Sequence, residues 1–242
     1  MKKIIYIIIS IIVCLSYSCS DMLDNIRPYL DEGETIYVGK LIPIAFPGKN
    51  RAMITGILLF GQNQVQCTIR WRNPATLEEE VRVLPIERHQ GTELVQFLLE
   101  NLEEGQYDFS IITQDAEGNT SIPTTTATYV YGEQYEATLV NRNIKSFFTE
   151  SVLDEDGEWI WVAQINWIVS RGDGIVGCYI KYDLNDGGTE ELFVPVSELT
   201  TELTNYKANG VWEYKTAYLP DELSLDTFYT QPVIANLPDY SF

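Results

Sequence analysis

Short runs of alternating apolar and polar residues recur from about residue 36 onward, and glycine, asparagine, aspartate and proline separate these runs. A period of two places the apolar side chains on one face of a β-strand, and the period of about 3.6 residues that predicts a helix is almost missing. The first half predicts strands at 41–46, 51–59, 65–71, 79–85, 93–99, 107–113 and 124–130. Seven short strands within about 100 residues is the count of an immunoglobulin-like β-sandwich, so we expect an all-β protein.

Three pairs of similar segments, in the same order along the chain, indicate an internal repeat. The pairs are 65–71 with 176–182, 79–83 with 190–194, and 105–109 with 210–214. Matches in a conserved order favour a duplicated domain over chance. We therefore predict two tandem β-sandwiches, at residues 36–132 and 133–242, which touch each other because the joint at residues 131–135 is short.

The first eighteen residues predict a lipoprotein signal peptide, since Lys2 and Lys3 precede an apolar run that extends from residue 4 to residue 15. This run is shorter than the roughly 20 residues of a membrane-spanning helix. Small residues before Cys19 resemble a bacterial lipobox, so we expect lipid on Cys19 and a flexible tether over 19–35. Plain secretion is the alternative, and a permanent span is a weaker one. The predicted location is the cell envelope, with the lipid anchor in the outer membrane, and exposure at the cell surface is left open.

Charge and residue types limit the functions available to the chain. The sequence holds 16 lysines and arginines against 35 acids, a net charge of −19, which would repel nucleic acid. His89 is the only histidine and lies among polar residues before a glycine, so we expect a solvated loop there. No nucleophile and base pair, zinc site or nucleotide-binding motif is present in the sequence, and we expect no catalytic residue, cofactor or metal.

Cysteines and acids leave two alternatives open. Cys67 and Cys178 lie in alternating apolar segments, which favours two buried free thiols over a disulfide. The acids at 154, 156 and 158 surround Gly157 and predict a polar hairpin turn, with a calcium loop as the alternative. Residues 115–119 predict a β-turn in which Gly118 supplies a positive φ.

A resemblance to a known fold rests on particular residues. Residues 102–111, followed by 115–119, resemble strand F and the F–G turn of a fibronectin type III domain, with Tyr107 at the corner where its hydroxyl can bond back to the preceding chain. In the second copy, Trp167 resembles the buried tryptophan of strand B. Each copy departs from this pattern, because Ile57 stands near the tryptophan position in the first copy and Trp212 replaces the corner tyrosine in the second.

The whole layout is similar to Bacteroidetes-type lipoproteins of a domain-of-unknown-function family with fibronectin-like modules. The acidic residues just after Cys19 also resemble the export tag of outward-facing lipoproteins in such bacteria. The resemblance implies no established activity, although some proteins of similar layout accompany machinery for glycan uptake. The predicted fold is therefore two immunoglobulin or fibronectin type III-like β-sandwiches that follow a signal peptide and a short flexible tether.

Aromatic residues, which make up 12% of the chain, supply the candidate binding residues. Alternation along 176–182 turns Cys178, Ile180 and Tyr182 inward and Tyr179 outward. Trp159 and Tyr179 are candidate platforms for a sugar ring, with packing at the domain joint as the alternative.

The predicted function is a non-catalytic, membrane-anchored binding module for a glycan or a partner protein. A structural spacer or assembly subunit of the cell surface is the alternative. A glycoside hydrolase that uses two carboxylates is a third and weaker one.

Overall fold

The computed structural model describes residues 36–59, 63–87, 91–169 and 174–240. The predicted signal peptide, Cys19, the tether and His89 lie outside the described residues. Residues Val38–Phe242 form one compact unit. No helix within the described ranges is both long enough and apolar enough to cross a bilayer.

The first half forms seven antiparallel strands arranged as two sheets. The strands are β1 (Ile42–Pro47), β2 (Arg51–Leu58), β3 (Gln64–Arg72), β4 (Glu79–Pro85), β5 (Glu93–Glu100), β6 (Gly105–Asp115) and β7 (Thr124–Val130). One sheet has the order β1-β2-β5 and the other β4-β3-β6-β7. All seven predicted strands are confirmed, and their ends differ from the prediction by at most two residues.

Alternation along these strands builds the first core. On β2, Ala52 and Ile54 point inward, and on β6 the inward positions are Tyr107 and Phe109. These side chains from the two sheets belong to one hydrophobic cluster. Since successive side chains of a strand point to opposite faces, a period of two in the sequence is sufficient to produce a sandwich of this kind.

The second half repeats the arrangement of the first. Its strands are β8 (Ile144–Leu153), β9 (Trp159–Trp167), β10 (Ile175–Asp183), β11 (Thr189–Pro195), β12 (Thr200–Leu203), β13 (Val211–Tyr218), β14 (Phe228–Tyr229) and β15 (Val233–Asn236). The sheets have the orders β12-β9-β8 and β11-β10-β13-β14, and β15 also pairs with β13. A separate cluster of buried residues lies between them.

The segments that matched in sequence occupy equivalent places in the two halves. Strands β3, β4 and β6 have the same neighbours in the first half as β10, β11 and β13 have in the second. The fold is therefore all-β with two sandwiches, as predicted. The exact boundary between residues 132 and 133 stays a prediction.

A short helix that the sequence pattern did not predict joins the two halves. It is α1 (Glu133–Thr138), and the carboxylate of Glu104 accepts hydrogen bonds from the backbone N–H groups of Gln134 at 2.7 Å and Tyr135 at 2.8 Å. A carboxylate is favourable at this end of a helix because the first N–H groups have no partner within the helix.

The two sandwiches contact each other beside this helix, as the short joint predicted. Arg51 donates two hydrogen bonds to the carboxylate of Asp226, at 3.0 and 2.6 Å. The N–H of Leu225 donates to the carbonyl of Pro47 at 2.7 Å. The ring of Phe228 packs against Tyr131 and Tyr135 with centroid distances of 5.8 and 5.2 Å.

Candidate binding groove

The corner tyrosine of the first sandwich has the predicted geometry. The Tyr107 hydroxyl donates a hydrogen bond to the carbonyl of Glu103 at 3.0 Å, and its ring stacks on Phe109 with the centroids 5.6 Å apart. Burial raises the pKa of Tyr107 to about 12, so the phenol remains protonated and able to donate. The hydrogen bond from Tyr107 to the chain before it is confirmed.

Trp212 takes the corresponding place in the second sandwich. It stacks on Tyr214 at 5.3 Å with almost parallel rings, just as Tyr107 stacks on Phe109. Its indole nitrogen is buried and has no hydrogen-bond partner. The substitution therefore keeps the aromatic packing of the corner and loses its hydrogen bond, as the sequence predicted.

The buried tryptophan of strand B is confirmed, and Ile57 lies one residue from the equivalent position of the first sandwich. Trp167 on β9 is 2% exposed and donates to the Thr201 hydroxyl at 3.0 Å. In the first sandwich, Ile57 is 41% exposed and points away from the core. The residue 111 positions before Trp167 is Gly56, and a shift of one residue along a strand reverses the face.

The outer face of the sheet that contains β10 carries a row of aromatic rings. Tyr179 on β10 lies directly opposite Phe193 on β11 and Lys215 on β13. The Tyr179 ring is 4.9 Å from that of Phe193 and 5.9 Å from that of Tyr229, centroid to centroid. The Lys215 ammonium lies 4.6 Å from the centroid of Tyr229 and 5.9 Å from that of Tyr179. These four side chains, Phe193, Tyr179, Lys215 and Tyr229, are called the aromatic row below.

A groove of about 580 Å³ lies over Tyr179, Lys215 and Tyr229 of this row, and Phe193 lies beside Tyr179 just outside its lining. One wall comes from residues 230–232, where the last edge of the sheet is interrupted between β14 and β15. Glu136 of α1 lines the groove from the joint, and Lys181, Glu191 and Glu213 form a charged row beside the aromatic one. The volume falls within the range of about 300 to 1,000 Å³ that is typical of small-molecule sites.

Ion pairs hold some of the charged groups of the groove. Lys181 contacts Glu191 at 3.1 Å, and the hydrogen bond and the charge of Glu191 raise the pKa of Lys181. Glu136 pairs with Lys49 of the first sandwich at 2.7 Å. The groove therefore offers carboxylate acceptors and ammonium donors side by side, and its aromatic residues are partly exposed.

The two aromatic candidates from the sequence lie apart. Tyr179 points outward as predicted, is 42% exposed and lies in the groove, while Cys178 and Ile180 point inward. Trp159 is 69% exposed but begins β9, which belongs to the opposite sheet, and it does not line the groove. A ligand-binding role for Tyr179 and Trp159 stays a prediction.

Phe193, Lys215 and Tyr229 were not among the residues predicted from the sequence. The first two could have been found, since Phe193 lies in a repeated segment and both face Tyr179 once the strands are paired. Tyr229 belongs to a strand of only two residues, which is too short to show alternation.

The other sequence candidates have structural roles. Asp154 accepts hydrogen bonds from the N–H groups of Asp156 and Glu158 and closes the hairpin between β8 and β9, with Gly157 at φ 82°. Asp115 closes the turn at residues 115–119 in the same way, with Gly118 at φ 93°. Over the described ranges, no three histidine, cysteine or acidic residues are grouped as a metal site.

Both predicted free thiols are confirmed. Cys67 and Cys178 are buried and not bonded to each other or to another cysteine. Burial raises the pKa of Cys67 to about 12 and also raises that of Cys178. Both sulfurs therefore act as small core groups and are poorly reactive in the folded protein.

The strand order defines the class of protein. In the first half, the sheet β1-β2-β5 faces a sheet whose central strands are β3 and β6. In the second half, the sheet β8-β9-β12 faces a sheet whose central strands are β10 and β13. This is the arrangement of a fibronectin type III domain. The chain belongs to the DUF4998 family, a domain of unknown function whose model matches residues 19–228. No curated protein shows significant sequence similarity to the chain.

Solved structures with a related fold contain tandem fibronectin domains. The FN1 to FN3 domains of chicken CNTN1 align over 85% of this chain and 68% of that chain, at 11% identity and a TM-score of 0.38. A segment of two fibronectin type III domains from chicken tenascin aligns over 83% of this chain and 98% of that chain, at 15% identity and a TM-score of 0.32. These likenesses concern the fold alone.

Proposed function

We propose that the protein is a non-catalytic binding module of the cell envelope, anchored by lipid on Cys19, which captures a glycan or a partner protein in the groove at Tyr179. The observation that supports binding is the aromatic row, because partly exposed rings gathered beside a groove are more typical of a recognition surface than of a solvated sheet face. The sandwich provides a rigid base for this surface.

The anchor is supported by the sequence before residue 20. The apolar run and the small residues before Cys19 favour lipidation, and the family match begins at residue 19. Replacing Cys19 by alanine should move the protein from the membrane fraction to the soluble fraction and abolish labelling with a radioactive fatty acid. A Cys19→Ala protein that remains in the membrane fraction would contradict the anchor.

Binding at the groove can be tested in living cells with a photo-crosslinking amino acid. Placed at Tyr179, it should give discrete adducts of lower mobility. Placed at Val83, which is exposed on β4 of the first sandwich, it should give none of these adducts. Identical patterns from both positions, or no adduct from Tyr179, would count against a binding module.

A structural spacer is the second candidate, and the joint supports it. Arg51 and Asp226 link the two sandwiches through two hydrogen bonds, an arrangement suited to holding a fixed shape. A spacer should tolerate loss of the Tyr179 ring and fail when the joint is loosened. A binding module should show the opposite order of sensitivity.

A carboxylate-based glycoside hydrolase has less support. Among the acids that line the groove, Glu191 has an exposed side chain (68%) and Glu136 is paired with Lys49. The general acid of that mechanism lies in an apolar surrounding, whereas every glutamate of the groove lies beside a lysine: Glu136 contacts Lys49, and Glu191 and Glu213 lie opposite Lys181. The fibronectin-like fold is also typically non-catalytic.

A further inference from the structure

We infer that the groove takes an uncharged oligosaccharide, which lies along the aromatic row and therefore across the strands. This inference rests on the proposed binding function and specifies the chemical class of the ligand. It is carried by three features of the groove: the direction of the aromatic row, the chemistry of the polar side chains beside it, and the hydrogen-bonded pairing of the strand that forms the groove floor.

The row runs perpendicular to the strands. Phe193, Tyr179 and Lys215 are direct cross-strand neighbours on β11, β10 and β13, and the Tyr229 ring completes the row from β14. Adjacent strands lie about 4.8 Å apart, so the row presents inclined aromatic rings on successive strands to an extended ligand, with the Lys215 ammonium between Tyr179 and Tyr229 as a donor. A chain of sugar rings is such a ligand, because apolar C–H faces repeat along its length. Aromatic rings pack well against those faces.

The polar residues beside the row match hydroxyl groups. Glu213 and Glu191 flank Lys181 in the neighbouring row, and together they place two acceptors and one donor along the ligand's path. Sugar hydroxyls both donate and accept, so they can bond to carboxylates and to an ammonium group in alternation.

Charge argues against an anionic ligand. The groove contains three glutamates (Glu136, Glu191 and Glu213) and two lysines (Lys181 and Lys215), and the whole chain carries a net charge of −19. The Lys181 ammonium already contacts Glu191, and that of Lys215 lies over the tyrosine rings. A uronate, sulfate or phosphate ligand would therefore find no excess of positive charge in the groove, and the net charge of the chain would oppose its approach.

The floor of the groove argues against a peptide that binds as an added strand. Strand β10 is paired on both sides, with β11 and with β13, so its backbone has no free edge in the groove. At the interrupted edge, the carbonyl of Gln231 accepts from Asn141 at 2.7 Å, and the N–H of Thr230 donates to Thr216 at 3.0 Å. The floor at β10 therefore offers a ligand side chains and no unpaired strand backbone, which suits a sugar chain better than a β-strand ligand.

The test is affinity electrophoresis of the full-length protein, purified in detergent, through gels that contain neutral polysaccharides. The panel should include a β-glucan, a xyloglucan, a galactomannan and an α-mannan, with polygalacturonate and heparin as anionic polymers. At least one neutral polymer should retard the protein, and oligosaccharides from it should bind in solution by calorimetry. Tyr179→Ala should weaken that binding about tenfold, from the loss of one stacking contact.

Matched variants locate the site and separate it from loss of folding. Trp159→Ala removes a more exposed aromatic from the opposite sheet and should leave affinity unchanged, while Tyr179→Phe keeps the ring and should retain most of it. A protein that binds only anionic polymers, binds no polymer of the panel, or loses affinity through Trp159→Ala and not through Tyr179→Ala would overturn the inference. Crosslinked adducts at Tyr179 with a protein instead of a glycan would do so as well, and would leave the proposed binding function intact.

Discussion

Tyr107 and Trp212 show how a single hydrogen bond distinguishes two equivalent positions. Both rings stack on an aromatic neighbour two residues along the same strand. Only Tyr107 has a hydroxyl that reaches the carbonyl of Glu103, and the buried indole nitrogen of Trp212 has no partner. A buried donor without an acceptor costs stability, so any stabilisation by Trp212 comes from the packing of its ring.

Replacement of Tyr107 by phenylalanine tests the corner hydrogen bond. Tyr107→Phe keeps the stacked ring and removes the 3.0 Å bond to Glu103, so the free energy of unfolding should fall by about 1 kcal/mol. Urea denaturation followed by fluorescence measures the change. Tyr129→Phe is the control because Tyr129 is 41% exposed, and its effect should stay within about 0.5 kcal/mol. Equal effects of the two substitutions would show that the corner bond contributes nothing.

Single residues were predictable where alternation alone decided their environment. Cys178, Ile180 and Tyr182 all point inward because each is two residues from the next on one strand. Ile57 was placed only near the tryptophan position, and it points outward because the equivalent residue is its neighbour Gly56. The sequence gives no direct measure of the register of the repeat.

At the scale of elements, different side chains fill the same space inside the two sandwiches at the equivalent strands β2 and β9. Trp167 fills the space inside the second sandwich with its own side chain. In the first sandwich Gly56 leaves the space open, and the side chain of Leu41 occupies it from outside the strand. A Cβ added at Gly56 would lie 2.4 Å from Leu41, so the glycine is required by close approach.

A double-mutant cycle tests this exchange of glycine and leucine. Gly56→Ala should destabilise the protein by about 1 to 3 kcal/mol through overpacking, and Leu41→Ala by about 2 to 5 kcal/mol through a cavity. In the double variant the new methyl group enters that cavity, so the total loss should be smaller than the sum by at least about 1 kcal/mol, measured by urea denaturation.

The matched control for the cycle is Leu99→Ala. Leu99 is buried in the same core but pairs with Ala52, four residues along the strand from Gly56. Its effect should add to that of Gly56→Ala. Additive effects in both pairs would mean that Leu41 does not limit the size of residue 56.

Elements with several alternating residues were predictable, and shorter ones were not. The seven strands of the first sandwich each contain at least six residues. Strand β14 has two residues and α1 has six, so neither contains two full periods of its pattern, and both depend on contacts with distant parts of the chain. The groove exists partly because β14 and β15 are separated, which explains why it could not be predicted as a whole.

At the scale of the whole molecule, the joint is held by residues far apart in sequence. The carboxylate of Asp226 accepts from the backbone N–H of Lys49 at 2.7 Å and from two nitrogens of Arg51, which lies 175 residues away. No local pattern identifies such a pairing. The same joint carries Glu136 into the groove, so its geometry also affects the binding surface.

The pKa of Asp226 links the joint to pH. Burial alone would raise this pKa, but the hydrogen bond from Arg51, with that from Lys49 and the two positive charges, outweighs burial and holds the pKa below its usual value of 3.8. The charged carboxylate therefore stabilises the joint fully above about pH 4, and this contribution is lost as the pH falls through the lower pKa of the folded state.

Replacing Asp226 by asparagine should loosen the joint at neutral pH. Asp226→Asn removes the charge of the carboxylate and weakens its hydrogen bonds from the partly exposed Arg51. The free energy that holds the two sandwiches in contact should therefore fall by about 1 to 2 kcal/mol, and arrangements in which this contact is broken should be about tenfold more populated. Pulsed electron paramagnetic resonance between spin labels at Val83→Cys and Val211→Cys, both exposed in the native chain, should show a broader distance distribution. Cys67 and Cys178 are buried and should not take up label.

The charge of Asp226, and not acidity in general, should control this distribution. Asp186→Asn removes an exposed acid from the turn between β10 and β11 and should leave the distribution as narrow as in the parent. The parent protein should broaden below about pH 4, whereas Asp226→Asn, already broad at pH 7, should change less. A narrow distribution for Asp226→Asn at neutral pH would mean that the packing of Phe228 against Tyr131 and Tyr135 is sufficient to fix the joint. In that case the groove would keep its shape whatever the state of the Asp226 carboxylate.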